Sequence, residues 1–172
     1  EWNGVVLEGW SRNGTQLTQA YRLYVLALAK AHELPAMNRL REQSDLGLQA
    51  KWMLAAAYAH AGRKDVAQQL VNGATTVVSP YTEQYWTYGS DLRDEAMIVD
   101  ALIAMGDMEK AAPVVQRIAK KLSSNDWWST QSTSFALLAV SRMAEKGQLG
   151  KGMSYALTID GKRTEKFSER AI

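Results

Sequence analysis

The chain has 172 residues, 47% of them hydrophobic, with 20 Lys and Arg against 18 Asp and Glu and a formal charge of +2. That is the length of one domain able to bury about two thirds of its unfolded surface, and the composition is not that of a disordered or collagen-like chain. The balanced charge offers no basic field for nucleic acid. The absence of cysteine excludes disulfides, thiolate chemistry and zinc held by sulfur. No apolar run reaches the roughly 18 residues of a membrane span, so no membrane contact is expected of this segment.

Residues 1–16, EWNGVVLEGWSRNGTQ, read as an extended N-terminal segment broken by Gly4, Gly9 and Gly14 and anchored by Trp2 and Trp10, with Arg12-Asn13-Gly14 as a turn signal. The stretch has no initiating methionine and none of the regions of a signal peptide; taken with the family resemblance given below, that makes a piece of a longer polypeptide the expectation. A helix is predicted from about Leu17 to His32, with Leu17, Tyr21, Tyr24, Val25 and Leu28 as its apolar stripe. Pro35 suits the first turn of a short helix over about Ala36 to Gln43. Ser44 or Asp45 is expected to cap the next, Leu46 to Ala61, which is apolar all round and must be enclosed. Gly62 ends it, and Arg63 to Ala74 forms its partner, with Val66, Ala67, Leu70 and Val71 facing inward.

Residues 75–90, TTVVSPYTEQYWTYGS, interrupt the rhythm. The aromatic residues Tyr81, Tyr85, Trp86 and Tyr88 make this a packed loop rather than a linker. Ser90 or Asp91 caps a third inner helix, with Leu92, Ala96, Val99, Leu102 and Ile103 spaced for burial. Gly106-Asp107 ends that helix and caps another from Met108 to Leu122, which has a single apolar stripe and Lys110, Arg117, Lys120 and Lys121 on its wet face. In Asp126–Met143, DWWSTQSTSFALLAVSRM, an aromatic loop leads into a helix capped by Ser129, with Thr130 and Gln131 serving the other free amides. Apolar residues on both of its sides predict burial of both. After Lys146-Gly147 the period changes: MSYALTIDGKR alternates polar and apolar residues, and Asp160-Gly161 is a hairpin turn signal.

The expected fold class is therefore all-α. Helices buried on both flanks alternate with helices buried on one, which fits the concentric layers of a partial α/α toroid of about three and a half helical hairpins over 17–147. Residues 148–172 form a short β-hairpin that belongs to an adjoining β domain, since two strands alone are marginal. The helix stops at His32, Gly62 and Gly106 are unequally spaced, unlike a tetratricopeptide array with its period of about 34. The family domain that the chain resembles, described next, has about six hairpins, which implies an incomplete ring with one naked edge that invites pairing with a second copy.

The segment Trp127, Trp128, Ser129, Thr130, Gln131, Ser132, Thr133, with Ala136, Leu137 and Ala139, resembles the end of the helical thioester domain of α2-macroglobulins and complement proteins. Tyr21 to Ala31, Ala50 to Gly62 and Tyr88 to Leu102 look most like the bacterial α2-macroglobulins, so the resemblance runs over roughly residues 15 to 146. It implies a structural module of a broad-spectrum protease inhibitor, a large periplasmic, often lipid-anchored protein of the cell envelope that traps proteases once its bait region is cut. The implied partners are the neighbouring domains of that protein and, through it, target proteases. Thioester members carry a Cys-Gly-Glu-Gln motif, which would lie upstream of Glu1 or be missing, and a helper histidine that no residue from Glu1 to Gln16 supplies. No catalytic residue, cofactor or metal ligand is therefore assigned, and the chain is not expected to be an enzyme.

Each remaining candidate has a plain structural reading. His32 and His60 close helices, where the dipole favours imidazolium. Asp91, Asp94, Glu95 and Glu83 suggest the paired carboxylates of a polysaccharide-active enzyme, but Asp91 and Glu95 suit a helix N-terminus better. Trp127, Trp128, Trp86 and Tyr88 could form a sugar- or peptide-binding platform at one end of the ring, although aromatics at hairpin corners are more often core. A helical-repeat adaptor that binds peptides along a concave face is the alternative to the inhibitor reading.

Overall fold

The computed structural model describes residues 12–83, 88–146 and 153–168. Its elements are α1 (Arg12–Leu28), α2 (Leu34–Arg41), α3 (Leu48–His60), α4 (Lys64–Leu70), α5 (Asp91–Met105), α6 (Met108–Leu122), α7 (Thr130–Glu145), β1 (Met153–Ile159) and β2 (Lys162–Ser168). The fold is all-α with one appended hairpin. Helices α1, α3, α5 and α7 pack side by side in that order as an inner layer, and α2, α4 and α6 each lie over the two inner helices that flank them in sequence. The inner helices share a direction, as hydrogen bonds between their starts show. Gln16 in the first turns of α1 accepts from the Gly47 amide at the start of α3 (3.0 Å), and Ser90 ahead of α5 meets Ser132 in the first turn of α7 (2.7 Å).

The two layers differ in burial as the apolar pattern predicts. In α3, Ala50 and every residue from Trp52 to Ala59 are buried, and α5 buries 14 of its 15 residues. Outer α6 buries Ala111, Val114, Val115 and Ile118, one stripe at i, i+3, i+4 and i+7, while α2 and α4 bury two residues each. Helix α5 is the centre of the molecule, touching α3, α4, α6 and α7.

Three expectations are corrected. Helix α1 starts at Arg12, so Arg12-Asn13-Gly14 is helical rather than a turn, and it stops at Leu28, with Lys30 at φ 61°. Its buried stripe is also rotated: Gln16, Ala20, Leu23, Tyr24 and Ala27 are buried, whereas Tyr21, Val25 and Leu28 of the expected stripe are exposed. Ala20 and Ala27 allow α1 to approach the alanine-rich α3 closely, which the larger side chains would prevent. The N-cap of α3 is Gly47, with no side-chain cap, rather than Ser44 or Asp45. The free Gly47 amide is served across the layer by Gln16, whose own amide group donates to Gln43 and to Asp45. Finally, α7 is not buried on both sides. Leu137 and Leu138 are exposed, although α5 and α6 pack against this last inner helix and α1 meets it through Tyr21 beside Phe135 and Tyr24 beside Arg142.

The other caps follow the sequence. Ser90 accepts from the Arg93 amide, Asp107 from the Lys110 amide and Ser129 from the Ser132 amide. Gly106, at φ 89°, ends α5 with its own amide and that of Asp107 bonded to Leu102 O. Strands β1 and β2 pair antiparallel with Ile159 opposite Lys162, and Asp160 and Gly161 both have positive φ, the geometry of a type I′ turn. Among the described residues no helix is long and apolar enough to cross a membrane.

Candidate functional site

At the end of the inner layer where α5 and α7 begin, three serines link the two helices. Ser129 Oγ donates to Ser132 Oγ (3.0 Å), and Ser132 Oγ lies 2.7 Å from Ser90 Oγ. Ser90 and Ser129 are at the same time the N-caps of α5 and α7, so one hydroxyl chain both closes two helix starts and fixes their spacing. Ser132 is buried and is the residue that sequence reasoning left without a role. The available signal was the repeat of a capping serine ahead of alternate helices, which places both serines at the same end of the layer.

The loop before α5 is pinned to this junction. Thr82 and Ser90 form an antiparallel bridge, the Glu83 amide donates to Gly89 O (2.8 Å), and the Asp91 amide donates to Tyr81 O (3.3 Å). Between these ties Tyr88 has φ 50°, a left-handed conformation that is an outlier for a bulky side chain. Tyr88 is 56% exposed, and Trp127, in the loop before α7, is 69% exposed. With Thr82, Glu83 and Ser129 these two rings line an open cleft of about 390 Å³. The structure thus brings Tyr88 together with Trp127. Trp127 is not packed into the corner as sequence reasoning expected for this loop; Trp128 is partly buried there instead, and its indole N–H is buried without an acceptor among the described residues. Trp86 lies outside the described residues. Ser129 provides the N-cap of α7 as expected, and Thr130 contributes its carbonyl as acceptor for Ser134 Oγ.

The acidic residues of α5 are enclosed rather than gathered in a solvent-filled cleft. Lys121 Nζ donates to Asp91 Oδ2 (2.6 Å) and Glu95 Oε2 (2.7 Å), while Arg117 donates to Glu95 Oε1 (2.8 Å) and to Thr76 O (2.6 Å). Asp94 is held by the Arg93 guanidinium (2.9 Å) and by the Tyr81 hydroxyl (2.6 Å). Burial, together with the Asp94 charge, pushes the Tyr81 hydroxyl far above its ordinary pKa, so it remains a donor. Buried charges need such partners, and these pairs lock the start of α5 to α6 and to the loop before it. Glu83 lies apart from them, on the wall of the aromatic cleft.

A second polar cluster crosses the inner layer towards the helix C-termini. Arg142 of α7 pairs with Asp100 of α5 and donates to the Tyr24 hydroxyl of α1 (3.0 Å), and the Tyr24 ring meets the His60 ring of α3 at 5.7 Å. All four inner helices are tied at this one point. His60 closes α3 as expected, but its charge state is the reverse of what the dipole suggests: burial, the Arg142 charge and Lys30 hold its pKa below the ordinary value. Its Nε2 lies 3.8 Å from Asp100, too long for a hydrogen bond, and Asp100 is already engaged by Arg142, so the contact is not an ion pair at neutral pH. His32 is exposed beyond the end of α1. Among the described residues no three His, Asp or Glu side chains gather in a way that could hold a metal ion.

No family model, curated protein or solved structure matches the chain.

Proposed function

We propose that this chain is a packing and shape-transmitting module of an α2-macroglobulin-like protease trap of the cell envelope, with no thioester chemistry of its own. The observation that carries the reading is the role of the Trp127–Gln131 segment, on which the sequence resemblance rests. Its serine caps the last inner helix and is bonded through Ser132 to the cap of the preceding inner helix. A residue set used in this way fixes the relation between helices and performs no chemistry. The same reading accounts for a cysteine-free chain in which Asp91 and Glu95 of α5 are committed to ion pairs. It also gives a purpose to the apolar flanks of α1 and α7, where Val25, Leu26, Leu137 and Leu138 are exposed. Neighbouring domains of the parent protein would cover these flanks, and in the isolated chain they would pair with a second copy.

The test is to express the parent protein, cleave it with proteases of different specificity and examine the products on native gels and by small-angle scattering. The reading requires a compaction of the cleaved protein and retention of the protease in the complex. A parent protein that is cut without changing shape and releases the protease would overturn it.

A further inference from the structure

We infer that the outer face of α7 is a self-complementary contact on which a second copy of this chain docks, the two α7 helices lying antiparallel across a two-fold axis. Six of the nine large apolar side chains exposed among the described residues lie on α1 and α7, so the uncovered apolar surface is gathered in one place. The two helices adjoin there: the Tyr21 and Phe135 rings stand 6.2 Å apart, and Tyr21, Val25 and Leu28 repeat along one side of α1. An exposed apolar patch of this kind marks an interaction surface. What it lacks decides the partner. Between Thr130 and Glu145 the exposed positions of α7 are Gln131, Ser134, Leu137, Leu138 and Ser141, none of them charged. A two-fold contact sets a surface against itself, and an uncharged stripe meets no like charge when it does so.

The stripe also reads the same in both directions. Turning α7 end over end about the midpoint of Leu137 and Leu138 exchanges those two leucines, Ser134 with Ser141, and Thr130 with Glu145. In the antiparallel pair each leucine therefore meets a leucine, and the small serines on either side let the helices approach. Glu145 of one copy comes to lie by the N-terminal end of the other copy's α7, whose partial positive charge favours a carboxylate. The serines are ready for burial. Ser134 Oγ donates to Thr130 O (2.7 Å) and Ser141 Oγ to Leu138 O (3.0 Å), so removing water from them strands no donor. Leu138 lines a small cavity with Tyr24 of α1 and with Phe135, so the apolar side of α1 borders the contact and extends it. The inference goes beyond the protease-trap reading: a monomeric chain would leave that reading untouched, and a parent protein that traps nothing would leave this contact standing.

The experiment is sedimentation equilibrium of the 172-residue chain from micromolar to millimolar concentration, with charges placed at the two serines. A reversible dimer is expected. Because Ser134 of one copy faces Ser141 of the other, Ser134→Glu with Ser141→Glu sets like charges together and should raise the dissociation constant at least about tenfold. Ser134→Lys with Ser141→Glu sets opposite charges together in the antiparallel pair and should stay within about threefold of the unsubstituted chain. Both serines are exposed, so these variants are expected to keep the circular dichroism of the unsubstituted chain. Leu137→Gln with Leu138→Gln, which adds no charge, should weaken the dimer as the doubly acidic variant does. The inference is overturned by a chain that is monomeric throughout, by a doubly acidic or a double glutamine variant that dimerises as tightly as the unsubstituted chain, or by a mixed-charge variant as weak as the doubly acidic one, which antiparallel helices do not allow.

Discussion

Glu95 is 1% exposed, and both of its oxygens are taken, one by Arg117 and the other by Lys121. Removing the carboxylate leaves Arg117 with only the Thr76 carbonyl and Lys121 with only Asp91 at the α5–α6 contact, so Glu95→Ala is expected to destabilise the chain by about 3 kcal/mol, the lower end for a broken buried pair because both cations are partly solvated and keep a partner. Urea unfolding checks this, and a loss below about 0.5 kcal/mol would mean the network is no more than a surface pair. His60 makes a prediction in pH. Its folded pKa lies below its ordinary value, so the unfolded chain binds the proton more tightly. The stability due to neutral His60 is therefore complete above about pH 6.5 and is lost as the pH falls through the folded value. Asp107, held below the carboxylate range first of all by its hydrogen bond from Lys110, weakens the fold only at more acid pH, so the two windows are separate. Urea midpoints should fall between about pH 7 and about pH 5, and His60→Gln should flatten that fall. A midpoint that rises on acidification would show instead that imidazolium pairs with Asp100.

The helices differ in what they tolerate. Ala56 is buried inside α3, where the three added carbons of leucine would overpack the core, so Ala56→Leu should cost about 1–3 kcal/mol. Lys120→Leu on the exposed face of α6 should stay within about 0.5 kcal/mol. Gly106 has open space around it, with Lys64 Nζ at an ordinary 3.9 Å from a built Cβ, so Gly106→Ala costs only its left-handed backbone, about 1–2 kcal/mol. Thermal or urea unfolding of the three variants would rank them, and equal losses for Ala56→Leu and Lys120→Leu would deny any difference between the layers. At this scale the sequence was informative wherever the signal was local. Ser90, Asp107 and Ser129 as caps, Gly106 as a stop and Asp160-Gly161 as a turn all depend on neighbours in the chain. Helix α3 was misjudged at its start because its free amide is served by Gln16, 31 residues away, and no local pattern reports such a partner.

For the molecule as a whole, the nested layers were legible because enclosure needs apolar residues on every side, and α3 and α5 have them or have charged residues with partners. What could not be read was which end of the row stays open. Leu137 and Leu138 look like core residues in any window of sequence, and their exposure is set by how the helices pack rather than by their neighbours in the chain. The candidate cleft was half legible: Tyr88 and Trp127 were noted as aromatics at corners, but their meeting, and the serine chain behind them, depend on inner helices sharing a direction. The cluster of Tyr24, His60, Asp100 and Arg142 was missed, although an Asp and an Arg in otherwise apolar inner helices could have been read as partners. The layered frame centred on α5 underlies every other statement about this protein, and native-state hydrogen exchange in low denaturant tests it most directly. Amides of α3 and α5 are expected to exchange only through global unfolding, while those of α2 and α4, which bury two residues each, open at lower free energy. Equal protection across inner and outer helices, or α5 opening before α4, would contradict the account.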